Sequence, residues 1–230
     1  MSQNRNLTQQ LTHTLGVSIV NGKYPVGEGM PSEAILCEQF EVSRSSTREA
    51  VKMLSAKGLI SSRPKKGIRV LPETEWNLFD SDVLSWILQS KPSLSLLREF
   101  TQVRAAIEPN AVKLAARNAT PKQLKQIEEA LFRIAEAEEG LDDQLDAHIC
   151  FLNAILQASG NRFFIQFTQF VKAALKVSIR YNNQTLGVKN TDVSFHADVF
   201  DAIKSGDEKR AYQLVEDILA DALALIESRI

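Results

Sequence analysis

The apolar residues at the start of the chain recur at the spacing of a helix face. Leucine at positions 7, 11 and 15 and isoleucine at position 19 follow a three-to-four-residue period, and Gly22 ends it, so a helix is predicted over residues 7–21. After the Gly/Pro-rich stretch KYPVGEGMP, Ser32 is placed as an N-cap before a second apolar run that ends near Phe40. The pattern therefore predicts two helices joined by a loop.

A third predicted helix follows at once and has two unlike faces. It begins either with Ser43 as its cap or with Ser46 and Glu49 as a capping box. Its apolar positions recur at core spacing: Ala50, Val51, Leu54 and Leu59. Basic and hydroxyl residues recur on the other side: Arg44, Arg48, Lys52 and Ser55. This face is either a solvated surface or the DNA-reading surface of a helix-turn-helix, whose second helix enters the major groove.

The next segment favours the DNA-binding alternative. Two short β-prone runs, 59–62 and 68–71, flank the sequence RPKKG, which predicts a hairpin with Lys65 and Lys66 at a cationic tip. Gly67 has no side chain to keep the backbone away from phosphates or the minor groove. A cationic helix followed by a basic hairpin is typical of a winged helix-turn-helix, and Arg can pair bidentately with guanine.

Beyond this region the apolar pattern is helical throughout. Residues 73–92 predict a helical linker, capped at Asp80 or Ser81 and packed by Trp86, Ile87 and Leu88. Six further helices are predicted at about 93–118, 121–139, 142–158, 162–181, 190–205 and 207–229. We therefore predict a mainly α fold: an N-terminal winged helix-turn-helix DNA-binding domain (1–72), the linker (73–92) and an antiparallel all-α bundle of about six helices for effector binding and dimerisation (93–230).

Charge supports this division. Residues 1–72 hold ten Lys and Arg against five Asp and Glu, whereas the remainder holds 17 against 23. A basic N-terminal part indicates a polyanionic partner such as double-stranded DNA. No apolar run approaches the roughly 18 residues that span a bilayer, so we expect a soluble, cytoplasmic protein with no membrane partner. Cys37 and Cys150 lie among apolar neighbours and are expected to be buried thiols.

The segment MPSEAILCEQFEVSRSSTREAVKMLSAKGLISSRPKKGIRV resembles the winged-helix reader of the GntR family of bacterial transcription regulators. The resemblance implies that Arg44, Thr47 and Arg48 read the operator and that Gly67 leads the wing into the minor groove. With the residues that the pattern adds, the predicted DNA contacts are Ser32, Arg44, Ser45, Thr47, Arg48, Lys52, Lys65, Lys66 and Gly67. The chain departs from the family at Ala34, where arginine is usual, and at Ser46, where proline is usual.

The C-terminal segments VRAAIEPNAVKLAARNAT, AILQASGN and HADVFDAIKSGD resemble the all-helical effector domain of the FadR-type branch of that family. The linker WNLFDSDVLSWIL is similar to that of regulators of sugar-acid operons such as the galactonate operon. The branch often binds a metal with one aspartate and three histidines. Here His148 stands at the aspartate position and His196 is kept, but Leu152 and Ile218 replace the other two histidines. The usual site is incomplete, and no cofactor is certain; a divalent metal such as Zn would need a further ligand, for example Asp192.

The predicted effector-binding residues are Arg104, His148, Asn161 and His196. Arg104 could clamp a carboxylate bidentately, as a sugar acid would require, or pair with Glu108 one turn later. Each histidine is either a pocket group or a satisfied core residue. Asn161 is either a pocket donor or a helix stop.

These features predict a ligand-responsive transcription regulator, most simply a repressor. It would bind a partly palindromic operator as a homodimer, with a small carboxylate such as the sugar acid galactonate as effector. The alternative is a helical-domain enzyme acting on a small carboxylate, with His148 or His196 paired to a nearby aspartate and an incidental nucleic-acid-binding arm. Asp146 is only two residues from His148 and does not face it on one helix, and the chain has no G-x-S-x-G or phosphate-loop motif. We therefore predict that the protein is not an enzyme.

Overall fold

The structure is a computed structural model that describes residues 2–90, 93–181 and 193–230, with side chains except at 2–6, 169 and 173–181. The chain divides into two compact units, Met1–Lys91 and Pro92–Ile230. Helices dominate both, and the two strands form one small sheet in the first. The predicted fold class, mainly α with a winged helix-turn-helix, is confirmed.

The elements of the first unit are α1 (Ser2–Val20), α2 (Glu33–Gln39), α3 (Arg44–Ala56), β1 (Ile60–Arg63), β2 (Gly67–Val70), a 3₁₀ turn (Glu73–Glu75) and α4 (Ser81–Ser90). Helix α1 begins five residues before its predicted start. The hydroxyls of Ser32 and Ser43 accept hydrogen bonds from the amides of Ile35 and Ser46, so each serine caps its helix. The structure therefore selects Ser43 as the α3 cap.

A leucine-rich core fixes the position of α3 in this unit. Leu15 of α1, Leu36 of α2 and Leu54 of α3 are fully buried together with Leu59, which precedes β1. Burying one such side chain stabilises the fold by about 1.5–3 kcal/mol. Because the apolar face of α3 is held inward in this way, its opposite face is directed to solvent.

The hairpin is antiparallel, with Ile60 opposite Val70 and Arg63 opposite Gly67. The outer edge of β2 is covered by residues 27–30: the amide of Met30 donates to the carbonyl of Ile68 at 2.8 Å, and the amide of Val70 donates to the carbonyl of Glu28 at 3.1 Å. These bonds hold the base of the hairpin to the loop between α1 and α2, whereas its tip is exposed.

The second unit contains α5 (Leu94–Asn118), α6 (Pro121–Glu138), α7 (Gln144–Ala158), α8 (Arg162–Tyr181), α9 (Val193–Lys204) and α10 (Glu208–Glu227). These bounds lie within three residues of the predicted ones. Helix α7 starts at Gln144 because the Asp143 side chain accepts from the Asp146 amide and caps the helix. The predicted start of the fifth helix, residues 190–192, lies outside the described residues. The shared core is formed by Val112, Ile127, Ile134, Phe151, Val199 and Leu219. None of the described helices is long and apolar enough to cross a membrane.

Candidate nucleic-acid interface and effector pocket

The outward face of α3 carries the predicted polar residues. Arg44, Ser45, Arg48 and Lys52 are all exposed, whereas Ala50, Val51 and Leu54 on the opposite face are buried. Within the free protein the Ser45 hydroxyl lies 2.9 Å from that of the cap residue Ser43. The arrangement presents three side chains with guanidinium or ammonium groups and one hydroxyl along a single surface, as a groove-binding helix requires.

Thr47 does not belong to this face, contrary to the expectation that the family resemblance gave for it. The residue is fully buried. Its hydroxyl lies 3.2 Å from the Ser43 carbonyl, to which it donates, and 3.2 Å from the sulfur of Cys37 on α2. Its place in the row with Ala50, Val51 and Leu54 explains the burial, because residues three and four apart share one side of a helix.

One predicted DNA contact, Ser32, lies at the start of α2. Ser32 is exposed, and its hydroxyl accepts from the Ile35 amide at 3.4 Å. Glu33, the next residue, lies 3.7 Å from the guanidinium of Arg48, whose side chain is 71% exposed. This ion pair across the turn orients Arg48 but is weak at such exposure, so it can exchange for a contact with DNA at little cost.

The wing tip is exposed from Arg63 to Gly67. The Lys66 amide donates to the Arg63 carbonyl at 3.1 Å and closes the turn. Both Lys65 (φ 64°) and Gly67 (φ 73°) have left-handed backbone conformations, and a Cβ placed on Gly67 would meet nothing within 4 Å. Lys65, Lys66 and Gly67 are thus all available to a phosphate backbone, and Gly67 leaves the surface free of a side chain.

The predicted DNA contacts omit two arginines of the wing. Arg63 is exposed at the end of β1, and Arg69 of β2 donates from Nη1 to the Gly27 carbonyl at 3.1 Å. Both add positive charge next to Lys65 and Lys66. The sequence contained the information needed to find them. Arg63 begins the turn, and Arg69 lies between the apolar residues Ile68 and Val70, so strand alternation directs it to solvent.

In the helical unit the two predicted histidines meet. The rings of His148 on α7 and His196 on α9 have centroids 4.8 Å apart, edge to face, and His196 also contacts Phe151 and Phe195. His196 is only 6% exposed. His148 Nδ1 donates to the Gln144 carbonyl at 2.6 Å, so in the neutral ring Nε2 carries the lone pair. That Nε2 atom is buried, and none of the described residues is its hydrogen-bond partner.

A metal site of the family type does not fit these residues. Leu152 and Ile218, at two of the family's four ligand positions, have no ligating atom, and Ile218 packs against the apolar core. The described residues contain no group of three or more His, Cys, Asp or Glu that could hold a metal ion. Asp192, the suggested extra ligand, lies outside them. Among the residues that the structure describes, the Nε2 atom of His148 instead has no donor.

Arg104 on α5 adopts the second of its two predicted arrangements. Its Nε and Nη2 donate to the two carboxylate oxygens of Glu108 at 2.6 and 3.1 Å. Glu108 is 5% exposed and the Arg104 side chain 21%, so this is a largely buried, bidentate pair rather than a surface one. The guanidinium also lies over the ring of Phe100, 5.9 Å from its centroid. Arg104 can therefore bind a ligand carboxylate only through its remaining N–H groups or by exchange with Glu108.

Asn161 is used at a helix end. Its Oδ1 accepts from the Phe163 amide at 2.9 Å, which satisfies a free donor in the first turn of α8. The turn before it is made by Gly160, at φ 69°. Asn161 therefore caps the start of α8. The helix stop of α7 was one of its two predicted roles, and its side chain does not serve that role here.

Asp142 and Asp198 are the nearby aspartates that the enzyme alternative would pair with His148 and His196, and each has another partner. Asp142 accepts two hydrogen bonds from Arg133, at 2.6 and 3.1 Å, and Asp198 accepts one from Arg210 at 2.7 Å. The hydrogen bonds from Arg133 are the main reason that the pKa of Asp142 is lowered. His148 hydrogen-bonds to a backbone carbonyl and not to a carboxylate. The pair of His148 with Asp142 that the enzyme alternative requires is therefore not formed.

Fold and surface together define a winged helix-turn-helix DNA-binding protein with a helical ligand-binding unit. Residues 7–70 match the bacterial regulatory proteins of the gntR family, and residues 99–221 match the FCD domain. The galactonate operon transcriptional repressor of Escherichia coli K12 is 32% identical over 94% of this chain and 95% of its own. An uncharacterised HTH-type transcriptional regulator of the same organism, YieP, is 30% identical over 95% of each.

A solved structure shares the fold at low identity. Lar, which controls the agr system of Listeria monocytogenes, has a TM-score of 0.64 with 15% identity, covering 96% of each chain. The chain belongs to the GntR family, with an FCD effector domain of the FadR type. It is a transcription regulator and not an enzyme.

Proposed function

We propose that this protein is a repressor that acts in the cytoplasm as a homodimer on a partly palindromic operator, and that a small hydroxy-carboxylate such as the sugar acid galactonate is its effector. The observation that carries the DNA-binding part is the exposed row of Arg44, Ser45, Arg48 and Lys52 on α3 beside the exposed basic wing tip. One short helix reads few base pairs. Two half-sites about 34 Å apart supply the specificity that one cannot.

The DNA-binding part is tested by selecting preferred sequences from random duplexes with the purified full-length protein. We expect a two-fold-related site, with a binding affinity that falls steeply as salt rises because the lysines and arginines displace counterions. Sedimentation with the selected duplex should give two chains for each duplex. Selection of a site without internal symmetry, bound by one chain, would contradict the dimeric proposal.

The effector part is supported by the chemistry of His148 and Arg104. The Nε2 atom of His148 is a buried acceptor without a partner in the described part of the chain, and leaving such a group unpaired costs about 1–3 kcal/mol. A ligand hydroxyl that donates to this atom removes the cost. A hydroxy acid carries a hydroxyl for this acceptor and a carboxylate for the remaining N–H groups of Arg104, so it has a group suited to each residue. The name of the E. coli relative points to the same class of compound.

A thermal-shift screen tests this part with sugar acids, including D-galactonate, as probes, each with and without zinc and with a chelator. A ligand that binds only the folded protein raises the unfolding midpoint, by an amount equivalent to about 2.7 kcal/mol at a hundredfold excess over Kd. We expect a rise with a hydroxy-carboxylate that the chelator does not abolish. A response that requires metal would contradict a site made by Arg104 and the histidine pair.

A further inference from the structure

Lys57, at the C-terminal end of the recognition helix, is held by two carboxylates from the linker. Its ammonium lies 2.8 and 2.7 Å from the two carboxylate oxygens of Asp80 and 2.9 Å from Oδ2 of Asp82. The Lys57 side chain is only 11% exposed. Burial by itself lowers the pKa of Lys57, but the hydrogen bonds to Asp80 and Asp82 outweigh it and the net pKa is raised. Lys57 therefore remains charged and paired at neutral pH.

The same carboxylate that binds Lys57 also starts the linker helix. Asp80 Oδ1 accepts hydrogen bonds from the amides of Asp82 and Val83, at 3.0 and 3.2 Å, in the first turn of α4. The C-cap residue of α3 and the residue that caps the start of α4 are thus joined through one side chain. Any displacement of α4 along its axis has to stretch the bonds to Lys57.

Backbone contacts reinforce this junction. The Lys57 carbonyl accepts from the Asn77 amide at 3.0 Å. Gly58, at φ 76°, lies so close to the backbone of Glu75 that an added Cβ would lie 3.2 Å from its carbonyl carbon. The ammonium of Lys57 is also 5.8 Å from the centre of the Trp86 ring on α4. The end of α3 and the start of α4 are therefore linked by side-chain, backbone and packing contacts at once.

We propose that Lys57 is a positioning residue that joins the recognition helix and the linker helix into one rigid body, so that the angle of α3 in the groove is fixed by α4. The inference rests on the proposed DNA-binding role of α3. It goes further by assigning the control of operator discrimination to a lysine that does not contact DNA. Because α4 leads in sequence to the effector domain, this junction is the point at which the linker acts on the reading face.

The obvious rival is that Lys57 is one more phosphate contact. The two roles differ in what happens when the opposite charge is removed. If Lys57 binds phosphate, deleting an aspartate beside it frees the lysine and leaves DNA binding unchanged or stronger. If Lys57 positions α3, deleting either partner loosens the same junction, so substitutions of opposite charge have the same effect.

The experiment compares Lys57→Met, Asp80→Asn and the matched control Lys125→Met. Asparagine caps a helix as well as aspartate does, so Asp80→Asn keeps the α4 cap while removing the charge. Lys125 is 75% exposed on α6 and loses the same charge elsewhere. Full-length proteins are titrated against the selected operator and a scrambled duplex by fluorescence anisotropy over a range of salt, with circular dichroism to verify folding.

Both Lys57→Met and Asp80→Asn are expected to reduce the preference for operator over scrambled DNA by about 3- to 30-fold, with an unchanged salt slope on scrambled DNA. Lys125→Met should keep the wild-type preference. The proposal is overturned if Lys57→Met lowers the affinity for both duplexes equally and makes the salt slope smaller by about 0.9. It is also overturned if Asp80→Asn has the same preference for operator over scrambled DNA as the wild type. If Lys57→Met does not fold, the operator preference of Asp80→Asn alone decides between the two roles of Lys57. A wild-type protein without operator preference would overturn the proposed function and this inference with it.

Discussion

The indole of Trp86 on α4 lies directly against Gly16 on α1. A Cβ added at position 16 would be 2.6 Å from Cη2 of that ring, closer than real carbon atoms approach. The indole N–H donates to Nδ1 of His13, one turn earlier on α1, at 2.8 Å. The linker helix is thus fitted into a gap on the first helix that only glycine leaves open.

The change Gly16→Ala should therefore destabilise the protein. In an exposed helix interior, alanine in place of glycine stabilises by about 1 kcal/mol. Here the added methyl forces Trp86 out of its place, and overpacking of this kind costs about 1–3 kcal/mol. We expect a lower unfolding free energy in urea or guanidinium titrations.

The control is the same change in a Trp86→Ala background. Without the ring the methyl meets no obstacle, and Gly16→Ala should become neutral or stabilising, which reverses the sign of the effect. If Gly16→Ala stabilises both backgrounds equally, Trp86 does not occupy the space beside Gly16.

Arg48→Ala should weaken operator binding and relax base preference by about 1–3 kcal/mol at one position of each half-site. The reason is that Arg48 is exposed at the centre of the reading face and its ion pair with Glu33 is long, at 3.7 Å. Anisotropy titrations against operators with single base changes measure both effects.

Thr47→Val is the matched control for this prediction, since Thr47 is adjacent in sequence but buried. It removes the bond to the Ser43 carbonyl and should cost about 1 kcal/mol of stability while base preference remains that of the wild type. If Thr47→Val alters base preference, then Thr47 takes part in reading the bases.

The contrast between Arg48 and Thr47 shows how far the sequence could predict the site. Helix period and turn signals located α5 to α10 because each helix has an apolar stripe and a glycine or capped stop nearby. The same period places Thr47 with Ala50, Val51 and Leu54, so its burial was predictable. The family resemblance had instead grouped it with the DNA contacts.

Other relationships could not be predicted, because they join residues far apart in sequence. Lys57 and Asp80 are 23 positions apart, and neither belongs to a recognisable motif. His148 and His196 come from different helices, and only the packing of α7 and α9 brings their rings together. Patterning specifies which face of a helix is buried but not which residue of another helix meets it.

Lys65→Gly should stabilise the wing while weakening DNA binding. Lys65 has a φ of 64°, a left-handed conformation that costs a residue with a Cβ about 1 kcal/mol and glycine much less. The lost charge should lower the salt slope of DNA binding by about 0.9. Lys66→Gly removes the same charge where φ is not positive, so it should destabilise instead. Equal stability changes at the two positions would contradict the turn geometry.

Arg104→Ala should destabilise the helical unit by about 3–5 kcal/mol, because it leaves the carboxylate of Glu108, 5% exposed, without its partner. Adding Glu108→Leu should restore most of the unfolding free energy, since an apolar side chain needs no partner. The double variant then isolates the ligand role. It should bind the operator normally and show no thermal shift with the sugar acid that shifts the wild type. A retained shift would make Arg104 purely structural.

His148→Phe should have the opposite effect on stability. The substitution keeps a ring beside His196 but removes the buried Nε2, which has no partner among the described residues. The unfolding free energy without ligand should therefore stay equal or rise by about 1–3 kcal/mol. The substitution also removes the hydrogen bond from Nδ1 to the Gln144 carbonyl. Because Gln144 is exposed, water can donate to that carbonyl instead. The thermal shift with a hydroxy-carboxylate should disappear, because the ligand hydroxyl has no acceptor. A variant that is less stable yet still responds to ligand would show that Nε2 serves the fold and not the effector.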